Sequence, residues 1–274
     1  YRVLDRLRKP HGLYVASLSD HYHYVWIRDS VYMSLPYMNK CDGKFEQAYH
    51  RLLDLLREYE WKLDTCLRHK PNMEWEYIHA RYSAEDVKEI HDQPWGHVQH
   101  DMIGGLLFGV GEGLKAGRKV LRDDKDREIV QKLVHYLQVV EYWHDPDNGM
   151  WEEWREVHSS SVGACVAGLQ AVKPIVNVPQ QLIDNGLQQL TRLYPRESDE
   201  KEADLAQLSL IYPYHIFTGA LAERIVRNVE QKLLRANGVI RYEGDSYFST
   251  LEHEHGRDKP RSFYAGTEAE WTFG

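Results

Sequence analysis

A chain of 274 residues with 42% hydrophobic and 28% charged side chains has the make-up of a soluble globular protein, long enough for one large core or two modest ones. Its formal net charge of -8, with no Lys/Arg cluster to offset it, argues against nucleic-acid or anionic-membrane partners, and no apolar run is long enough to cross a bilayer. Three cysteines, Cys41, Cys66 and Cys165, are odd in number, far apart and without metal spacing, which fits a reducing, cytoplasmic compartment better than a disulfide framework.

Helical periodicity dominates the chain. A helix is predicted over 28–39, and Leu52, Leu55, Leu56, Tyr59 and Leu63 then recur at three- and four-residue spacing. Residues 73–82 read as extended, and 97–116 as a helix. Ile129, Leu133, Leu137 and Val140 form the next stripe, and the run Asp145-Pro146-Asp147-Asn148-Gly149 punctuates the chain after it. A helix over 159–173 follows, with Ser159, Ser160 and Ser161 placed to cap it. Leu182, Leu187, Leu190 and Leu193 make a less regular stripe, 203–212 a further helix, and Leu221, Ile225, Val229 and Leu233 a very regular one. Residues 239–248 read as extended. No linker is visible. About nine antiparallel helices in series, with long loops after alternate ones, predict an all-α single domain over 1–274 in which helix pairs close into an α/α toroid, its loops gathered at one end.

Four polar and aromatic constellations interrupt this pattern. Glu152 and Glu153 stand in a loop beside Trp151 and Trp154, where indoles could serve as a sugar platform and a low-dielectric wall. A carboxyl kept partly dry holds its proton near neutral pH and can act as a general acid; the plainer reading is a solvated acidic loop. Tyr24-Val25-Trp26-Ile27-Arg28-Asp29-Ser30 sets a cation beside an anion at a helix start, able to grip neighbouring sugar hydroxyls or simply to pair. Trp95-Gly96-His97-Val98-Gln99-His100-Asp101 offers an indole in a loop, with Asp101 a possible helix cap. Arg241-Tyr242-Glu243-Gly244-Asp245-Ser246-Tyr247 is a polar aromatic loop.

In this order the four motifs resemble the glucoamylases of glycoside hydrolase family 15. The wider stretch, from about Gly12 onward, is similar to the N-terminal domain of the phosphorylase b kinase α and β regulatory subunits, on Trp26-Ile27-Arg28-Asp29-Ser30-Val31-Tyr32, Trp95-Gly96-His97-Val98-Gln99, Ser160-Ser161-Val162-Gly163 and Glu268-Ala269-Glu270-Trp271. The resemblance implies an (α/α)6 barrel with a pocket at one mouth. By it Glu152 is the general acid, Glu153 a substrate-binding neighbour, Trp26, Arg28 and Asp29 the lining of a terminal-glucose subsite, and Trp95 the wall beside the acid. It implies an α-glucan substrate and no metal or organic cofactor. An inverting mechanism also needs a carboxylate base roughly 6.5–9.5 Å from the acid. The family places that base beyond the segment ending at Gly274, so the expectation is a barrel lacking its last helices, with Glu268 or Glu270 as fallback base.

Three functions are therefore expected in descending order: an exo-acting α-glucosidase, a sugar-sensing regulatory domain, and a helical scaffold. The pairs His21/His23 and His253/His255 lack a third ligand and read as surface histidines. Gly109-Val110-Gly111-Glu112-Gly113 follows no strand, so close helix packing explains it better than a nucleotide fingerprint.

Overall fold

The computed structural model describes residues 1–40, 42–91, 93 and 95–272. The helices are α1 (Arg2–Leu7), α2 (Ile27–Ser34), α3 (Lys44–Glu58), α4 (Glu60–Cys66), α5 (His100–Lys115), α6 (Asp124–Val140), α7 (Ser159–Val172), α8 (Gln180–Leu193), α9 (Gly219–Leu233), α10 (Glu252–His255) and α11 (Arg261–Tyr264). Two short strands, β1 (Tyr24–Trp26) and β2 (Arg81–Ser83), pair antiparallel with Trp26 opposite Arg81. The chain divides into two compact units, Tyr1–Val157 with Ser161–Gln189, and His158–Ser160 with Leu190–Gly274.

In the first unit the leucine stripes do what their spacing predicts. Leu52, Leu55, Leu56 and Leu63 are buried, as are Ile129, Leu133, Leu137 and Val140. The first of these stripes is split into α3 and α4 at Tyr59, which leaves helical geometry at ψ 23°. Helix α2 ends earlier than 39, because Pro36 continues it only as a 3-10 turn, Leu35–Tyr37. Helix α6 starts at an Asp123 cap whose carboxylate accepts the Asp126 N–H at 2.9 Å.

Glycines set how closely α5 approaches its neighbours. A Cβ on Gly104 would lie 2.4 Å from the backbone of Ala164 and Cys165, one on Gly111 2.4 Å from Ala171 O, and one on Gly109 1.6 Å from the Tyr49 hydroxyl. The glycine run of α5 is thus a packing surface for backbone and tyrosine, as the missing strand before it implied.

In the second unit α9 packs on a 3-10 turn, Leu205–Leu210. A full helix over 203–212 does not form there. The Asp204 side chain caps the turn by accepting the N–H of Ala206, but Gln207 N–H closes on Asp204 O and Ile211 N–H on Leu208 O, the three-residue spacing of a 3-10 turn. Ile225 and Leu233 are buried, but Leu221 is 48% exposed at the start of α9, and in α8 of the other stripe Leu187 is 39% exposed. Residues 239–248 form isolated bridges, Leu234 with Val239, Val239 with Trp271 and Asp204 with Tyr242, rather than a strand. Gly244, at φ 79°, turns the chain within that stretch.

Helix α7 is not capped by its own serines. Glu197, fully buried, accepts from Ser159 Oγ at 2.6 Å, Ser160 Oγ at 2.5 Å and Ser160 N–H at 3.2 Å. A carboxylate distant in sequence is the better partner for a helix N-terminus, since it adds charge to the hydrogen bonds. Burial, reinforced by Asp204, pushes the Glu197 carboxyl up to about 7 against the pull of His158 and the two serines.

Candidate active site

The loop after α6 is stapled to the N-terminus of α5 by its own aspartates. Glu141 ends α6 in the left-handed region at φ 57°, ahead of the Pro/Asp/Asn/Gly run. Asp147 then accepts the His100 N–H at 2.9 Å, and Asp145 meets His100 Nε2 at 3.0 Å and Lys70 Nζ at 2.9 Å. Both carboxylates face the positive end of a helix, and burial of Asp145 is outweighed by His100 and Lys70, so its carboxyl sits below the usual range. Asn148 accepts the Val98 N–H at 3.2 Å and donates to Glu153 O at 2.6 Å. Gly96 must lack a side chain because a Cβ there would be 2.8 Å from that amide.

Within this frame the chain passes through Gly149 and Glu152, both at φ 63°. A glutamate in left-handed geometry costs roughly 1–2 kcal/mol. Its side chain is held as well: Trp95 Nε1–H donates to Oε2 at 2.8 Å, Gln99 Nε2–H donates to Oε1 at 3.0 Å, and Arg28 Nη1 stands 3.5 Å from Oε1. Only 14% of the side chain meets solvent. Burial raises the Glu152 carboxyl above the usual range; Arg28 and Gln99 pull it back, and Asp29 pushes it up again.

Arg28 sits at the centre of these contacts. Its Nε donates to Asp101 Oδ2 at 2.5 Å and Nη2 to Asp101 Oδ1 at 3.1 Å, a two-pronged pair between α2 and α5. The remaining donors go to Met150 O at 3.0 Å, Gly149 O at 3.1 Å and Gln99 Oε1. Burial alone would drive the proton off, but Asp101 and then Glu152 more than offset it and the guanidinium stays charged. Arg28 is therefore paired with Asp101, not with the adjacent Asp29. The Asp29 carboxyl is itself raised, by burial first and by Asp101, against Arg28.

Trp26 is 3% exposed, and its ring meets Trp95 edge to face with centroids 6.0 Å apart. The indole that touches Glu152 is thus Trp95, whereas the sequence neighbour Trp154 is 58% exposed. Glu153 is fixed by its main chain, its N–H donating to Asn148 O at 3.0 Å, and its side chain is half-buried. The like charge that raises Glu152 comes from Asp29. In the second unit Arg241 and Asp245 form a two-pronged pair, both bonds 2.6 Å. Glu268 there accepts the N–H groups of Gly244 and Gly266 at 2.7 Å, and Glu270 that of Asn237 at 2.6 Å, so both carboxylates hold loop backbone. Among the described residues no group of three or more His, Cys, Asp or Glu side chains could hold a metal ion. Sequence reasoning left Gln99 and Asp101 out of the site, although both stood in the motif Trp95–Asp101; only the crossing of α2 over α5 makes them partners of Arg28.

Glu152 is thus a buried carboxyl set in a polar cradle of an indole N–H, an amide and a cation. The pattern of Glycosyl hydrolases family 15 matches residues 3–253. The chain belongs to this family. It is also similar to the "Probable phosphorylase b kinase regulatory subunit alpha" of Caenorhabditis elegans, 26% identical across 92% of this chain, and to the liver isoform of the mouse regulatory subunit alpha, 23% identical across 84%. It spans about a quarter of the length of these relatives, 23% and 22%. Among solved structures a wild-type glycosidase superposes with a TM-score of 0.74 at 20% identity over 90% of this chain and 72% of the other, and a variant of a glycosidase in complex with glucose gives 0.73 over the same shares. Glucoamylase from Saccharomycopsis fibuligera gives 0.61 at 12% identity, over 98% of this chain and 67% of that one. These likenesses show the fold, the all-α (α/α)6 toroid class of the glucoamylases. Among the described residues, no helix is long and apolar enough to cross a membrane.

Proposed function

We propose that this chain carries the sugar-binding and proton-donating part of an inverting, exo-acting α-glucosidase that removes glucose from maltooligosaccharides or related α-glucans. The observation that carries the reading is the Glu152 carboxyl, shielded, pushed up by burial and aimed by Trp95 and Gln99. Glu152 protonates the departing glycosidic oxygen as the bond to the anomeric carbon breaks. Asp29 and Glu153 accept from sugar hydroxyls, Trp26 and Trp95 supply the aromatic wall, and Arg28 holds the acid, Gln99 and the loop carbonyls in register. A second carboxylate must take a proton from the attacking water on the opposite sugar face; we assign it to a residue beyond Gly274, because Glu268 and Glu270 are taken up by loop backbone N–H groups. The reaction calls for no metal or organic cofactor, and the free buried thiols Cys66 and Cys165 suit a reducing compartment.

The kinship with phosphorylase b kinase regulatory subunits favours a second reading, in which the same residues bind an α-glucan end and report it without turnover. Incubating the full-length protein with maltotriose separates the two. Release of β-glucose that falls by about 10²- to 10⁴-fold in Glu152→Gln supports the hydrolase. Saturable maltotriose binding with no glucose released supports the sensor and overturns the hydrolase.

A further inference from the structure

Arg81 is among the largest fully buried side chains of the chain, 2% exposed, on a strand of three residues. Burying a guanidinium costs several kcal/mol unless its surroundings compensate. Three aromatic rings are among them. The guanidinium carbon lies 3.9 Å from the Trp95 ring centroid, 4.7 Å from that of Tyr24 and 5.9 Å from that of Trp26, and Nη2 donates to Gln93 Oε1 at 3.2 Å. The β1–β2 register, with Arg81 opposite Trp26, delivers it to this place. Trp95 is thereby constrained from three sides: Arg81 on its face, Trp26 at its edge, and Glu152 at its Nε1.

We infer that Arg81 is a positioning residue for Glu152, acting through Trp95. The cation over the indole face is attracted by the ring and fixes its plane, which points Nε1–H at Glu152 Oε2. The same positive charge draws electron density from the indole, so Nε1–H becomes a stronger donor, and a stronger donor favours the carboxylate that Glu152 becomes once its proton has left. Arg81 thus aims the acid and stabilises its spent form. The role rests on Glu152 being the working acid, but the coupling Arg81–Trp95–Glu152 is measurable without turnover.

The experiment is a double-mutant cycle on the full-length protein, Arg81→Met and Arg81→Lys, each alone and with Trp95→Phe. The readouts are the titration of the Glu152 carboxyl by carbon NMR, assigned with Glu152→Gln, the Trp95 indole N–H resonance, and kcat and KM where turnover is present. In Arg81→Met the Glu152 midpoint should rise by about half a unit to one unit and the indole proton should move upfield, as its hydrogen bond weakens. Arg81→Lys, which keeps the charge but not the planar guanidinium, should move both less and in the same direction. In Trp95→Phe neither replacement should shift Glu152 further. In an active protein kcat falls about 10-fold or more with KM little changed, as expected for a misaimed acid. If Arg81→Met does not fold, Arg81→Lys carries the same cycle. An unmoved Glu152 midpoint in the folded variants, or an equal shift with Trp95→Phe present, overturns the inference. An inactive protein with the coupling intact would instead sink the glucosidase reading alone.

Discussion

The carboxyl of Glu152 titrates in company, and the company determines the sign of its response to mutation. It stays protonated to higher pH than an ordinary glutamate, so under the proposed hydrolase reading the basic limb of kcat/KM should follow it. Asp29 is the anion that pushes it up, so Asp29→Asn should move that limb to lower pH; a limb that stays or rises excludes this electrostatic link. Two histidines near the same loop give a stability prediction of opposite hand. His79 and His97 stack at 3.9 Å with rings 8° from parallel, both buried. Burial, with Lys62 facing His79 and Arg81 facing His97, lowers them to about 2 and about 4. Glu89 Oε2 is 3.8 Å from His79 Nδ1, and its Oε1 is 2.5 Å from Lys62, while His91 packs at the edge of His79. Depressed bases are neutral in the native state and take up protons on unfolding, so their contribution is present above pH 6.5 and is lost as pH falls through that value towards 4. Thermal unfolding should therefore steepen in its pH dependence between about 6.5 and 4, and His79→Phe, which keeps a ring in the stack, should flatten that slope. Neither the stack nor Arg81 was legible in the sequence, because 15 histidines and many arginines carry no mark of burial.

At the scale of elements, what the sequence reveals best is what repeats locally. The α3, α4 and α6 stripes are buried as spaced, since a 3.6-residue period writes one face of a helix directly into the order of residues. The stretch at 203–212 closes three-residue bonds instead of four-residue ones, and 239–248 pairs only at isolated bridges around the turn at Gly244, differences that residue period alone does not reveal. Likewise Glu197, distant in sequence, binds the serines at the start of α7. The glycines of α5 can be tested individually. Gly104→Ala should cost about 3 kcal/mol in chemical denaturation, because the new methyl meets backbone that cannot yield. Gly117→Ala, at φ 76° with open space around it, should cost only about 1 kcal/mol from its backbone angle. Equal losses at the two positions would show that α5 does not need the close approach.

For the whole molecule, binding is the property easiest to read. A ligand that binds only the folded chain stabilises it, by about 2.7 kcal/mol at a hundred times its dissociation constant. Maltotriose should raise the melting temperature, and Asp29→Asn should weaken that rise more than it lowers the melting temperature of the free protein; a shift unaltered in the variant would remove Asp29 from the sugar site. Family membership was legible because four short motifs keep their order and intervals along the chain. That Glu152 carries a shielded carboxyl was legible too, from its setting in a Pro/Asp/Gly loop between helices. What wraps it was not: the flanking Trp154 is exposed to water, and the donors that hold Glu152 come from Trp95, Gln99 and Arg28. The order of residues alone determined the helical class and the family and singled out Glu152 as the candidate acid, since each depends on local period or on residues close together in the chain. Only the tertiary structure decided which carboxylate Arg28 pairs with, which anion lifts Glu152 and why Arg81 is buried, because electrostatics and ring contacts act through distance in space, and residues far apart in sequence become neighbours only when α2, α5 and the loop after α6 pack together.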